Sequence, residues 1–482
     1  YATGEGRASV LWPLRVALTI LLALLGRKPK DTGERTMARC LENGHAVLLF
    51  LRPSRRVLGD AGATARVRGR FSEELIALQR RLGDDRPVQL LPMTLLWGQS
   101  TVRASQGGTL DALFGEKELP GPVRQTFQFL RHRRATVVKV GESIDLVGFL
   151  SRHTDRSDDA LARTLRFEMS GGIEVERRVV MGPHTKSPRR VRVEVLRSRS
   201  VKDAIERLAR AQDISQDALY KKADKMLMHI AANPKRWTFR LLYVLLKLVF
   251  RRIYQGVDIE ASELTRLREA AKKGPLVLLP SHKSHVDYLI LSYVFYEHDL
   301  SPPHVAAGAN LSFFPLGFLF RRCAAFFLRR TFRGNALYAA VFAAYVRRVL
   351  RNGFNLEFFI EGARSRTGKL LPAKLGLLRM VSDAALDGQA PNVQLVPVAI
   401  TYEKVVEDIS YASELLGAEK KKEGMGALLR ARRVLRAKYG RIDLQVGEPV
   451  GLLETLAKAG AQKNASENDR RRAVERLGHR IR

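Results

Sequence analysis

From Leu276 onward, short apolar runs alternate with stretches of helical period. LVLLP (276–280) is an unbroken apolar run of strand length, the signature of a strand buried on both faces. HVDYLILSYVFY (285–296) then reads as a helix, and AAFFLRR (324–330) as a strand entering a basic turn. ALYAAVFAAYVRRVLRNG (336–353) predicts a helix closed by Gly353. LEFFIEG (356–362) and VQLVPVAITYE (393–403) read as strands, with a helix LGLLRMVSDAAL (375–386) between them. GALLRARRVLRAKYG (426–440) reads as a helix and IDLQVGEPV (442–450) as a closing strand and turn. This alternation predicts an α/β fold with a mainly parallel sheet flanked by helices.

The first part of the chain echoes the last. GHAVLLFLRPSRR (44–56) follows the outline of GFNLEFFIEGARSR (353–366), VQLLP (88–92) that of VQLVP (393–397), and VKVGE (138–142) that of LQVGE (444–448). The order is kept and the offsets are 309, 305 and 306 residues. Three echoes in order at nearly constant offset point to an internal duplication. Residues 1–150 are therefore expected to be a degenerate copy of the later α/β fold, with Arg52-Pro53 standing where Glu361-Gly362 stands later.

Between the copies, residues 151–255 are basic and largely helical in pattern, and form a linker. Within it, SPRRVRVEVLRSRS (187–200) alternates like an edge strand or an arm. The linker ends in WTFRLLYVLLKLVFRRIY (237–254). At about 100° per residue, Arg240, Lys247 and Arg251 share one helical face and Leu, Val, Phe and Trp fill the rest, as in a helix lying in a membrane interface. A core helix with one wet edge is the plainer alternative. Val16 to Leu25 is a second apolar run, short of the roughly 20 residues a bilayer requires, and is expected to be a buried or interfacial helix. Residues 256–456 then form the main α/β domain, and 457–482 a basic C-terminal helix.

The chain of 482 residues has 45% hydrophobic and 27% charged residues, so it can bury a sizeable core. Its charge changes the picture: 83 Lys and Arg against 49 Asp and Glu give +34, which favours an anionic partner. Nucleic acid, anionic lipid and phosphorylated substrates all qualify, but no aromatic interleaving and no named motif supports nucleic acid. Cys40 and Cys323, the only cysteines, cannot build a disulfide framework or a zinc site, which fits a reducing compartment.

Candidate chemistry centres on PSHKSHVDYLILSYVFY (280–296), with His282 and Asp287 in an H-x4-D spacing where a strand gives way to a helix. Open α/β sheets place their sites at such strand ends. A histidine there can act as general base if a carboxylate fixes its tautomer. That is the His–Asp part of a hydrolase triad without a protein nucleophile, so a substrate hydroxyl takes that role. His285 competes for Asp287, and either histidine could simply cap the helix. Arg329, Arg330 and Arg333 follow one predicted strand, while Arg364, Arg366 and Lys369 follow another with Glu361 and Ser365. Guanidinium forks hold phosphate bidentately, so the combination suggests a phosphorylated alcohol.

With those residues in hand, PSHKSHVDYLILSYVFY, AAFFLRRTFRGN, FFIEGARSRTGKL and LVPVAITYE resemble the four ordered motif blocks of the glycerol-3-phosphate acyltransferases, above all the membrane-bound bacterial members. The detailed resemblance runs from about Tyr254 to Val450 and is looser before it. It implies His282 as general base, Asp287 as its orienting acid, and Arg330 as a ligand for glycerol 3-phosphate. It ties Glu361, Gly362, Arg364 and Ser365 to the same substrate, and Pro397 to the acyl-donor side. Ala324-Ala325 and Ala363 depart from the pattern, which has glycine opening the second block and Gly or Thr after Glu-Gly in the third.

The resemblance further implies direct acyl transfer to the 1-hydroxyl of glycerol 3-phosphate, from acyl-CoA or acyl-acyl-carrier protein, with no metal, no cofactor and no acyl-enzyme. It implies a peripheral, monotopic location on the cytoplasmic face of the inner membrane, against an anionic lipid surface. The alternatives are acylation of a lysophospholipid or of dihydroxyacetone phosphate, and an inactive membrane-binding scaffold. A scaffold has no need to keep His282, Asp287 and Glu361 together.

Overall fold

A computed structural model describes residues 33–49, 61–97, 136–313, 315–329, 331–332, 334–365, 367–405 and 437–481. The apolar run at 16–25, the Arg52-Pro53 pair and residues 426–436 of the expected basic helix lie outside the described residues. The chain divides into two compact units, Tyr1–Gly98 with Gln106–Arg177, and Gln99–Ser105 with Arg178–Arg482.

In the first unit, helices α1 (Gly33–Glu42) and α2 (Ala61–Leu82) precede four short strands. These are β1 (Gln89–Leu90), β2 (Met93–Trp97), β3 (Thr136–Val140) and β4 (Ile144–Asp145), paired antiparallel as β1 with β4 and β2 with β3. Helix α3 (Leu146–Ser151) follows, opened by the Asp145 carboxylate, which accepts from the Val147 and Gly148 amides at 3.3 and 3.0 Å. Helix α4 (Asp158–Met181) carries the chain out of this unit, the division falling after Arg177. Met37, Leu75, Ile76, Leu146, Phe149, Leu161 and Leu165 form its core.

The second unit opens with helices α5 (Pro188–Leu196), α6 (Arg199–Gln212), α7 (Gln216–Ile230) and α8 (Arg236–Ile253). Strand β5 (Val257–Ile259), helix α9 (Ala261–Lys273), β6 (Leu276–Pro280), α10 (Asp287–Glu297) and β7 (His304–Gly308) follow. Then come α11 (Leu316–Arg322), β8 (Ala325–Leu328), α12 (Ala336–Arg351), β9 (Leu356–Glu357), α13 (Gly376–Leu386) and β10 (Gln394–Tyr402). Strands β11 (Ile442–Val446) and β12 (Val450–Gly451) and helices α14 (Leu452–Lys458) and α15 (Glu467–Ile481) close it.

Eight strands make one sheet in the order β5-β11-β10-β6-β9-β7-β8, with β12 also on β10. β10, β6, β9, β7 and β8 run parallel, while β11 and β12 lie antiparallel on β10. β6 is central and wholly buried, which is why its sequence shows no alternation: Val277 and Leu279 face one apolar layer with α12 and α13, Leu276 and Leu278 the other with α8, α9 and α10.

Two expectations change. SPRRVRVEVLRSRS is no arm: Pro188–Leu196 is helical, with the Ser187 hydroxyl capping the Arg190 amide and Pro188 in the first turn. Val191 and Val195, one turn apart, supply its buried face, a helical spacing hidden inside the alternation. The strand expected at 356–362 pairs only over Leu356–Glu357, after which the chain leaves the sheet as a loop that carries Glu361.

The two units share local geometry. Met93 faces Val140 across β2 and β3 as Val398 faces Val446 across β10 and β11, at the same offsets of 305 and 306. The Gly141 amide donates to Pro92 O at 2.8 Å and Gly447 to Pro397 O at 2.9 Å. Leu146 donates to Val88 O at 3.1 Å and Leu452 to Val393 O at 2.9 Å, each at the start of a helix. Helices α1 and α12 end alike, in Asn43-Gly44 and Asn352-Gly353, with both glycines left-handed at φ 74 and 81.

Candidate active site

β6 ends at Pro280 and α10 begins at Asp287, so the six residues between them must turn at the carboxyl edge of the parallel strands. This turn is stitched down on two sides. The Ser281 amide donates to Val398 O at 2.9 Å, and its hydroxyl accepts the Ile400 amide at 3.0 Å, tying it to β10. Ser365 N donates to His282 O at 2.7 Å, tying it to the loop after β9.

His282 is 4% exposed and Asp287 fully buried. His282 Nδ1 lies 3.0 Å from Asp287 Oδ2. The same oxygen accepts the Lys283 and Ser284 amides at 2.7 and 2.9 Å, and the Tyr402 hydroxyl donates to Oδ1. Asp287 acts as the acceptor in each of these bonds, and so faces the imidazole as an acceptor too. It therefore holds the proton on Nδ1 and leaves Nε2 as the base. Phe359 stacks on the imidazole at 3.9 Å between centroids and Tyr288 meets it edge-on at 5.0 Å, which fixes the ring plane.

Glu361 is 2% exposed. Its two oxygens accept the His282 amide at 3.1 Å and the Leu371 amide at 2.8 Å, so it braces two loops against each other. Gly362 sits at φ 63, where an added Cβ would meet the Lys374 side chain at 2.6 Å. The Ser365 hydroxyl turns back to Lys369 O, holding its own loop. Arg364 is half-buried in the same loop, and Lys369 is exposed. Arg329 is exposed, its guanidinium 4.9 Å over the Tyr338 ring. Arg330, Arg333 and Arg366 lie outside the described residues. Pro397 is within β10 opposite Leu279, next to Val398, whose carbonyl accepts the Ser281 amide of the turn. A cleft of about 970 Å³ adjoins this edge, lined in part by Pro280, Ser281, Glu361, Leu370 and Pro397.

The departure at Ala324 has a conformational meaning: it lies at φ 64, a left-handed position where a glycine costs nothing and alanine costs about 1 kcal/mol. Two residues escaped the sequence reading. Tyr402, at the end of LVPVAITYE, joins the dyad. Glu357, in β9, is fully buried, and neither of its carboxyl oxygens has a hydrogen-bond partner among the described residues. Burial, and then the nearby Asp287 charge, push the Glu357 carboxyl well above its ordinary range. Being polar inside an apolar run, Glu357 was the one legible signal. Among the described residues no cluster of His, Cys, Asp or Glu could hold a metal ion.

Helix α8 buries Phe239, Leu242, Leu246, Phe250 and Ile253 and exposes Trp237, Leu241, Val244, Leu245 and Leu248. Lys247, expected on a wet basic face, instead turns inward to Glu297 of α10 at 3.1 Å and to the Tyr243 hydroxyl at 2.7 Å. Pairing with a carboxylate outweighs hydration at that position, while Arg240, Arg251 and Arg252 stay exposed beside the apolar residues. Phe313, Leu316 and Phe318 are also exposed, and Arg322 stacks on the Phe318 and Trp237 rings at 3.9 and 5.6 Å. No described helix is long and apolar enough to cross a membrane.

Fold and site together define an acyltransferase domain: the acyltransferase family model matches residues 259–401, which include His282, Asp287 and Glu361. The model of the glycerol-3-phosphate acyltransferase PlsB N-terminal domain matches 37–171, and that of the glycerol-3-phosphate acyltransferase C-terminal region 411–482. The glycerol-3-phosphate acyltransferase of Pasteurella multocida is 34% identical over 90% of this chain and 53% of its own length. That of Haemophilus influenzae is 34% identical over 85% and 49%, and that of Pseudoalteromonas translucida 36% over 77% and 45%. The chain belongs to the bacterial glycerol-3-phosphate acyltransferase family. It spans about half the length of the curated relatives it matches. A crystal structure of a 1-acyl-sn-glycerophosphate acyltransferase from Thermotoga maritima aligns at a TM-score of 0.27 and 15% identity, over 60% of this chain and 94% of that one, too distant to support any conclusion.

Proposed function

We propose that this chain transfers a fatty acyl group from acyl-CoA or acyl-acyl-carrier protein to the 1-hydroxyl of glycerol 3-phosphate. The observation that supports it most is the buried His282–Asp287 pair, with Nδ1 committed to Asp287 and Nε2 left for a substrate hydroxyl. In this reading Nε2 takes the hydroxyl proton as the oxygen attacks the thioester carbonyl. The tetrahedral intermediate collapses, the C–S bond breaks, and the imidazolium returns the proton to the leaving thiolate. No acyl-enzyme forms. Arg330 and Arg364 hold the phosphate, and Gly362 and Ser365 shape the loop that presents Arg364. Glu361 serves the same substrate by bracing the His282 turn, and Pro397 lines the acyl-donor side.

The exposed apolar face of α8, with Arg240, Arg251 and Arg252 exposed on the same helix, serves as a peripheral docking surface for an anionic bilayer. The cytoplasmic face of the inner membrane is the location consistent with acyl-CoA as donor. Residues 1–150 act as a degenerate, non-catalytic copy of the acyltransferase fold, supported by the shared registers above; an experimental structure in which 88–97 and 136–146 fail to superpose on 393–402 and 442–452 overturns that part.

The deciding experiment is acyl transfer from labelled long-chain acyl-CoA, or acyl-acyl-carrier protein, to glycerol 3-phosphate in anionic vesicles, with His282→Ala alongside. The wild type makes 1-acylglycerol 3-phosphate, and the variant loses about 100-fold or more. A lysophospholipid or dihydroxyacetone phosphate that outcompetes glycerol 3-phosphate overturns the substrate assignment.

A further inference from the structure

The mechanism above uses His282 and Asp287 and leaves the second Asp287 oxygen out of account. Oδ2 is saturated by His282 Nδ1 and the amides of Lys283 and Ser284. Oδ1 is reached from a different element, since Tyr402 is the last residue of β10 and its hydroxyl donates there. Tyr402 is held in place by its backbone, being in register with Ile442 of β11, and its ring lies 6.2 Å from that of Tyr254. The hydroxyl therefore approaches Asp287 from a fixed strand, while the amides on Oδ2 come from the turn itself.

We propose that Tyr402 is a positioning residue of the acyl-transfer site, which acts through Asp287 to set both the orientation and the basicity of His282. A carboxylate bonded on one oxygen only can swing about its Cβ–Cγ bond, whereas donors on both oxygens lock the plane that aims Nδ1–H. The hydroxyl also draws charge away from Asp287. Every donor on the carboxylate weakens its hold on an imidazolium, so removing one strengthens that hold. The titratable groups facing this carboxylate are His282 from the turn, Glu357 from β9 and Tyr402 from β10; Tyr254, at the end of α8, faces Tyr402. Burial and the Asp287 charge favour the protonated form of Glu357, while Glu361 meets the same turn through the His282 amide at 3.1 Å. This assignment gives the fourth motif block a task at the dyad, distinct from the acyl-donor side to which Pro397 is assigned, and it rests on His282 being the base.

The test is Tyr402→Phe, which keeps the ring and removes only the hydroxyl. Two readouts are taken: the His282 titration by NMR of the imidazole-labelled protein, assigned with His282→Ala, and kcat and KM of acyl transfer against pH. The expected result is a His282 pKa raised by about half a unit or more, with the acid limb of kcat/KM moved up by the same amount. At the plateau kcat falls about tenfold with KM for glycerol 3-phosphate unchanged, the effect of one hydrogen bond to a charged group. An unmoved His282 titration overturns the proposal, whatever happens to activity. A loss confined to KM overturns it too. If the wild type transfers no acyl group, the functional reading fails while the NMR titration still decides the role of Tyr402.

Discussion

One carboxylate oxygen of Glu361 accepts the backbone amide of His282 at 3.1 Å, while its other oxygen accepts the amide of Leu371 at 2.8 Å. The residue that resemblance ties to glycerol 3-phosphate thus spends both oxygens on the protein. Glu361→Gln must point its amide at one of those N–H groups, leaving a buried donor unsatisfied. We expect a loss of about 1–3 kcal/mol in unfolding free energy, read by denaturant titration. In the same variant kcat falls while KM for glycerol 3-phosphate changes less. A variant of wild-type stability with a raised KM alone returns Glu361 to direct substrate binding.

Glu357 gives a pH signature of defined sign. Its folded-state pKa is raised, so above the ordinary carboxyl value near 4.5 the native state binds a proton the unfolded chain has lost. Unfolding free energy therefore falls as pH rises from there toward the folded pKa. Glu357→Gln removes this slope. The variant should match the wild type near pH 4 and exceed it at pH 8 in denaturant midpoint. Equal midpoints at both values refute the neutral buried acid.

His304 slopes the other way. It is buried, meets Phe354 edge-on at 4.7 Å, and burial, with the Arg348 charge second, lowers its pKa to about 3. Between that value and the ordinary 6.5 the unfolded chain takes a proton that the fold refuses, so stability drops as pH falls. His304→Phe should flatten the acid limb of the stability profile below pH 6.5, by at most the one-proton slope of about 1.4 kcal/mol per pH unit.

The outer face of α8 can be changed without touching the core. Leu241, Leu245 and Leu248 are 44%, 44% and 62% exposed. Changing all three to Ser should leave the thermal midpoint within about 2 °C, since exposed substitutions cost little. Co-sedimentation with anionic vesicles should fall at least tenfold, because each buried methylene contributes about 0.8 kcal/mol. Unchanged sedimentation removes this helix from the docking surface.

The fold was legible where hydrophobic pattern and burial coincide. LVLLP is a strand over the residues its apolar run covers, and the helices expected near 336 and 376 form because each has a broad apolar face. The reading failed at 187–200, where valines at every second position also fall a helical turn apart, so the Ser187-Pro188 start signal outweighs alternation. It overran at 356–362 because Phe358, Phe359 and Ile360 are as apolar in the loop as strand residues are, being buried around the imidazole and the sheet edge. The His–Asp pairing was readable from the H-x4-D spacing together with the motif blocks around it, the spacing alone leaving His285 as a competitor. Tyr402 was not, since it reaches Asp287 from 115 residues away and only strand order brings it there.

Helix α10 has something fastened at each end. Its first residue is Asp287, locked to the imidazole turn, and its last is Glu297, clamped by Lys247 and Tyr243 of α8. Eleven residues of helix form a rod about 16 Å long, stiff against bending because every turn is hydrogen-bonded. The outer helix and the acid of the dyad are thus joined through the two ends of one short hydrogen-bonded rod, which ties the placing of one to the placing of the other.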